Sequence, residues 1–156
     1  MKNRRSSMRF GEGLQLRSSL HSNPLGATHP VILSTWADDA ILEIGDDFAM
    51  TGGTICASKH IKIGNRVTIG ANSVVVDTDF HPRDAKERID NPEQGEMAPV
   101  VIEDDVFIGM SCLILKGVTI GRGSVIGAGS VVAKSVPAGS VAVGNPARVY
   151  SIDHSL

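Results

Sequence analysis

The chain has 156 residues, with 15 Lys and Arg against 17 Asp and Glu, a formal net charge of −2, 42% hydrophobic residues and only 4% aromatics. That size suits one domain with a real core, and the near-balanced charge supplies no basic field, which sets nucleic acid aside as a partner. The basic start, MKNRRSSMRF, leads into no apolar run, and no stretch nears the eighteen or so apolar residues of a transmembrane segment, so a soluble, cytoplasmic protein is expected.

In chain order, residues 1–30 carry no regular period and hold Pro24, Gly26 and Pro30, so they are expected to form an N-terminal leader or cap, part of it without fixed order. From there a step of six begins. Ile44, Met50 and Cys56 keep it, the next aliphatic, Ile63, arrives after seven residues, and the extra residue near His60 predicts a bulged corner. Ile63, Ile69 and Val75 resume the step, with Val67, Ser73 and Asp79 four residues after each. The next slot holds His81 instead of an aliphatic, and the following one, Ile102, lies 21 residues on, so fifteen residues beyond the period leave the pattern as an excursion loop over 82–99. That loop is rich in charge and proline, as a solvated excursion should be. Ile102, Ile108, Ile114, Ile120, Ile126 and Val132 then run without a break, shadowed by Val106, Cys112, Val118, Ser124, Ser130 and Val136. The pattern fades through Pro137, Gly139, Gly144, Asn145 and Pro146, where a short C-terminal cap is expected before the tail at 151–156.

Strands repeat every two residues and helices every 3.6, so a step of six fits neither a long helix nor a simple meander. It fits an all-β solenoid of three flat walls over residues 31–150, in which each hexad makes one short strand and one corner. Three hexads then return the chain about 4.8 Å higher. Both columns must face a narrow interior that has room for Ile, Val, Ser and Cys but little for rings, which agrees with the aromatic content. Cys112 lies in the slender inward column and neither Cys56 nor Cys112 sits in a CxxC, so a reduced core role is expected of Cys112.

His81, in the run VVDTDFHPRD, stands where the chain leaves the coil. A neutral imidazole is the natural general base for a hydroxyl, and Asp79, two residues earlier, is placed to fix its tautomer if both side chains fall on one side of a strand. A solvated loop histidine is the plain alternative. The five histidines are separated by 8, 31, 21 and 73 residues, which provides no close pair of zinc ligands in the coil, so no metal is expected.

With its Ile-Gly-x-x-Val/Ser columns, the DTDFHP segment, the run FIGMSCLILKGVTIGRGSVIGAGSVV and the closing VAVGNPARV, the chain resembles the hexapeptide-repeat O-acetyltransferases, the group of maltose, galactoside, nodulation-factor and exopolysaccharide acetyltransferases, over roughly residues 40–150. The resemblance implies a left-handed parallel β-helix, a homotrimer with sites in the clefts between subunits, and acetyl-CoA as co-substrate. It implies transfer of acetyl to a hydroxyl of a sugar or glycan, directly in a ternary complex, as a step of polysaccharide biosynthesis. His81 matches the family's general base. The match puts Met110, Ala128, Ala133, Lys134 and Arg148 on or near the cofactor, with Lys134 and Arg148 as its phosphate partners. Maltose- and galactoside-type members carry an asparagine one to two coils before the histidine; the stretch here is MTGGT, so either Thr51 or Thr54 substitutes in binding substrate or the role is absent, and Asp77, close to His81 in the chain, is the other candidate for substrate. The tryptophan common before the Ile-Gly of the cofactor coil is Phe107. Two other readings stay open, an N-acetyltransferase acting on an aminosugar, sugar nucleotide or antibiotic, and a non-enzymatic β-helix scaffold.

Overall fold

The computed structural model describes residues 2–151; most of the expected tail, from Ile152 onward, lies outside the described residues. Three walls of stacked parallel strands enclose the core. The first wall stacks Ser7–Phe10, Ile41–Ile44, His60–Ile63, Val100–Ile102 and Thr119–Ile120 in that order. The second stacks Gln15–Arg17, Ala49–Thr51, Thr68–Ile69, Phe107–Ile108, Val125–Ile126 and Ser140–Gly144, and the third stacks Ile32–Thr35, Thr54–Ala57, Val74–Val76, Leu113–Ile114 and Val131–Val132. Successive coils pair in register, for example Ile63 with Ile102 and Ile102 with Ile120. The solenoid closes with Ala147–Ser151 folding back antiparallel on Ser140–Gly144, which forms the expected cap.

Both sequence columns face inward. Ile108, Ile114, Ile120, Ile126 and Val132 are fully buried, and Val106, Cys112, Val118, Ser124, Ser130 and Val136 are all 3% exposed or less. Each buried isoleucine contributes about 1.5–3 kcal/mol of transfer free energy, so the column is the main stabilising element. The inward serines are satisfied by backbone: Ser73 Oγ donates to the Gly109 carbonyl and accepts from the Cys112 amide, both at 3.0 Å. Burial pushes the Cys112 thiol up, so it stays protonated in its core position.

Two expectations change. The solenoid begins at Ser7 and not at residue 31, because residues 7–35 form a complete first coil whose strands pair with Ile41–Ile44, Ala49–Thr51 and Thr54–Ala57. An end coil buries only one flank, so it needs no strict aliphatic column, and its third strand is delayed by the segment between Arg17 and Ile32. The third-wall slot of the second coil is taken by Ile55, paired with Val75, and not by Cys56, which pairs with Val76. Gly52 and Gly53, both at positive φ, shorten that corner by one residue. The surplus is then spent at Ser58–Lys59–His60, the bulge anticipated near His60.

Candidate active site

His81 is exposed at the corner where the third wall passes to the first. The chain leaves after Val74–Val76, makes a six-residue helix, Ala85–Asp90, capped by the Asp84 carboxylate on the Lys86 and Glu87 amides, and returns to Val100–Ile102. The two stems of this excursion are zipped together. Thr78 bridges Met97 in antiparallel fashion, the Asp79 amide donates to the Glu96 carbonyl at 3.0 Å, and the Ala98 amide donates to the Asp77 carbonyl at 3.0 Å. Gly95 lies against the outbound stem so closely that a Cβ there would fall 2.6 Å from the Phe80 carbonyl carbon and 2.7 Å from the His81 nitrogen.

The ring of His81 is oriented by this loop. Its Nδ1 lies 2.6 Å from the carbonyl oxygen of Pro92. A carbonyl only accepts, so Nδ1 carries a proton, and in the neutral ring this makes Nε2 the accepting nitrogen. This corrects the role expected of Asp79. Phe80 has a φ of 60°, which breaks the two-residue alternation that would have put Asp79 and His81 on one side. The Asp79 carboxylate turns instead to Lys116 at 3.2 Å and Arg83 at 3.5 Å.

Asp77 is also corrected. It is fully buried, and its two oxygens accept the amides of Ser58 at 2.6 Å, Lys59 at 2.8 Å and His60 at 2.7 Å. A carboxylate so occupied holds the bulged corner and has no face left for a substrate.

The second wall carries a groove of about 380 Å³ across its outer face. Its walls are mostly apolar, with Leu25, Met50, Phe107, Met110 and Val125 among the lining, and its floor includes Gly70, Gly109 and Gly127. Those glycines are required by the stacking: a Cβ at Gly70 would fall 2.5 Å from the Met110 nitrogen, and one at Gly109 2.6 Å from the Ala128 nitrogen. Of the residues expected near a cofactor, Met110 and Ala128 line this groove. Ala133 and Lys134 lie exposed just past Val131–Val132, and Arg148 is exposed on the closing hairpin opposite Val143; none of the three lines the groove. Thr51 lines it, with its hydroxyl accepting from Asn23 Nδ2 at 3.2 Å. Thr54 is half-buried on the third wall, outside the groove. Asn23 went unnoticed in the sequence because it sits in the aperiodic segment before residue 31. His81 is not among the groove's lining residues either, so one chain carries an imidazole on one corner and a slot on another wall.

The chain is thus a triangular parallel solenoid with glycine at its corners, interrupted between Arg17 and Ile32 and again by the excursion that carries His81. Known proteins agree. The bacterial transferase hexapeptide (six repeats) family matches residues 99–134, and the hexapeptide repeat of succinyl-transferase matches residues 60–76. Over 88 residues, 56% of this chain and 41% of the relative, the sequence is 51% identical to a Schizosaccharomyces pombe protein provisionally named an acetyltransferase. Over 62 residues it is 53% identical to the 2,3,4,5-tetrahydropyridine-2,6-dicarboxylate N-acetyltransferase of Clostridium perfringens, covering 39% of this chain and 26% of that one. The matches thus span less than half the length of these relatives. The fold superposes on a hexapeptide-repeat-containing acetyltransferase of Vibrio cholerae with a TM-score of 0.72 and 29% identity, covering 92% of this chain and 73% of that one. It superposes on a galactoside acetyltransferase solved in complex with coenzyme A with a TM-score of 0.74 and 30% identity, covering 93% and 65%. The chain is a hexapeptide-repeat protein with the left-handed parallel β-helix of these acetyltransferases.

Proposed function

We propose that this chain transfers an acetyl group from acetyl-CoA to a hydroxyl of a sugar or glycan, with His81 as general base. The observation that carries the reading is the 2.6 Å contact between His81 Nδ1 and the Pro92 carbonyl, which in the neutral ring makes Nε2 the accepting nitrogen on an exposed corner. Nε2 takes the proton of the acceptor hydroxyl as its oxygen forms a bond to the thioester carbonyl carbon. On collapse of the tetrahedral adduct the C–S bond breaks, the thiolate leaves, and the imidazolium returns the proton. No covalent enzyme intermediate is required. The co-substrate supplies the activated acyl group. The second-wall groove fits a slender pantetheine arm, because Gly70, Gly109 and Gly127 leave its floor flat while Met110 and Phe107 provide apolar contact. Lys134 and Arg148 are the cations assigned to its phosphates.

His81 and the groove lie on different parts of one chain, which favours a homotrimer in which the His81 corner of one copy faces the groove of the next. An isolated monomer would then be inactive. A second reading, N-acetylation of an aminosugar or a related amine, is favoured by the Clostridium perfringens relative, which is an N-acetyltransferase. The same base would serve an ammonium acceptor. The test is thiol release from acetyl-CoA against a panel of sugars, aminosugars and lipid-linked glycans, with wild type and His81→Ala compared. The proposal expects a hydroxyl acceptor and a loss of at least about a hundredfold in the variant. Equal rates from both proteins refute the base, and turnover restricted to amines selects the second reading. Failure of acetyl-CoA to bind turns the reading toward a scaffold.

A further inference from the structure

Two carboxylates, Asp79 on the outbound stem of the excursion and Glu96 on the return stem, face the same cation. Lys116 Nζ, from the next coil along the chain, lies 3.2 Å from Asp79 Oδ2 and 3.2 Å from Glu96 Oε2. Arg83 reaches the same pair, at 3.5 Å from Asp79 and 2.9 Å from Glu96. The four groups differ in setting: the Lys116 side chain is 15% exposed and that of Arg83 75%, while Asp79 is 32% and Glu96 64% exposed, so the Lys116–Asp79 arm is the least screened by water and the Glu96 arm is the looser one. Without it, two like charges would face each other across the stems with only a solvated guanidinium between them.

The stems flank the loop that carries the hydrogen-bond partner of His81. Pro92 lies between the helix and the return stem; its carbonyl is 2.6 Å from Nδ1, and three residues on Gly95 packs against the backbone of Phe80 and His81. The Lys116 backbone is itself fixed, since the neighbouring Gly117 amide donates to the Ala98 carbonyl at 3.0 Å. The excursion is therefore anchored at three levels, by main-chain bonds at 77–79, by close backbone contact at Gly95 and by the Lys116 clamp between.

We infer that Lys116 is a positioning residue: by clamping Asp79 to Glu96 it keeps the Pro92 carbonyl on His81 Nδ1 and so keeps Nε2 free to accept a proton. This deepens the general-base reading and rests on it for its functional meaning. Loss of the clamp would let the ring rotate and exchange tautomers, and an orienting group misplaced by about 1 Å costs as much as a hundredfold in rate.

The test reads the tautomer directly and needs no ligand. In full-length protein with 15N-labelled histidine, measured at a pH where imidazoles are neutral, wild type and Lys116→Arg are expected to hold His81 almost wholly in the Nδ1–H form. In Lys116→Met that population should fall to a minority, because a neutral histidine ring released from its carbonyl partner into water favours the Nε2–H tautomer. Removing the opposing charge as well, in Lys116→Met with Glu96→Gln, should restore most of the Nδ1–H signal, because no like-charge pair then remains to be clamped. The inference is overturned if Lys116→Met leaves the His81 spectrum as in wild type, if wild type itself holds Nε2–H, or if the double variant is no better than the single one. The double variant also separates loss of the clamp from general misfolding, since it carries the same Lys116→Met substitution. Full activity of His81→Ala would sink the general-base reading while leaving the tautomer result standing.

Discussion

Replacing Asp77 by Asn removes one charge and one acceptor from a fully buried side chain that takes three backbone amides. The carboxylate takes one amide on Oδ1 and two on Oδ2, all buried or half-buried. A carboxamide keeps only one oxygen and turns its NH2 toward donors that need acceptors, so one or two of the three bonds are lost, the Ser58 amide being the most deeply buried of the three. Bonds to a charged acceptor are worth about 1.5–3 kcal/mol each, which puts the loss at about 2–5 kcal/mol. For a chain of this length that corresponds to a fall in Tm of roughly 5–15 °C. Calorimetry or circular dichroism at one protein concentration measures it, and amide exchange should accelerate first at Ser58, Lys59 and His60. A Tm within roughly 2 °C of wild type would refute the reasoning, because the bulged corner would then be held by something other than this carboxylate.

Ile114→Ala opens a cavity at a fully buried site whose neighbours in the coils above and below are Val75 and Val132, and should cost about 2–5 kcal/mol in denaturant unfolding. Gly109→Ala sets a methyl against the Ala128 backbone at 2.6 Å, a contact that no rotamer relieves, so it should lower Tm and narrow the groove together. Glu43 is held below its ordinary carboxyl value of 4.5 by its hydrogen bond from His60 and then by Arg9. Since the folded form gives up its proton more readily than the unfolded one, the stabilisation is complete above about pH 4.5 and fades as pH falls through the lower folded value. Glu43→Gln should therefore cost less than about 1 kcal/mol near neutrality, given the exposure of the pair, and the gap should close in acid. A gap that stayed constant down to pH 3 would contradict the assignment.

The walls were legible because burial inside a narrow prism filters side chains by size, and Ile102 through Val132 record that filter without interruption. The first coil was not, because Met8, Phe10 and Leu16 lie at an open end where the filter is relaxed. Cys56 was misplaced by one residue since a cysteine and an isoleucine both suit a slender slot, and only the positive φ values at Gly52 and Gly53 decide between them. His81 could be read from the break in the period. Its orienting partner could not, because a backbone carbonyl eleven residues away leaves no side-chain signature. For the same reason Asp79 and Asp77 looked like site residues: an aspartate beside a histidine carries the same letters whether it faces the ring, a lysine or a row of amides.

The central claim is that acetyl transfer takes place where the His81 corner of one copy meets the groove of another, and mixed assemblies test it most directly. Two defective chains are coexpressed, His81→Ala with its groove intact and Thr68→Trp with its histidine intact but the exposed groove face filled. The account predicts that each chain alone is inactive in acetyl-CoA thiol release and that the random mixture recovers about a quarter of wild-type activity, since one cleft in four pairs a sound histidine with a sound groove. A mixture as inactive as its parents, beside an active wild type, would contradict it.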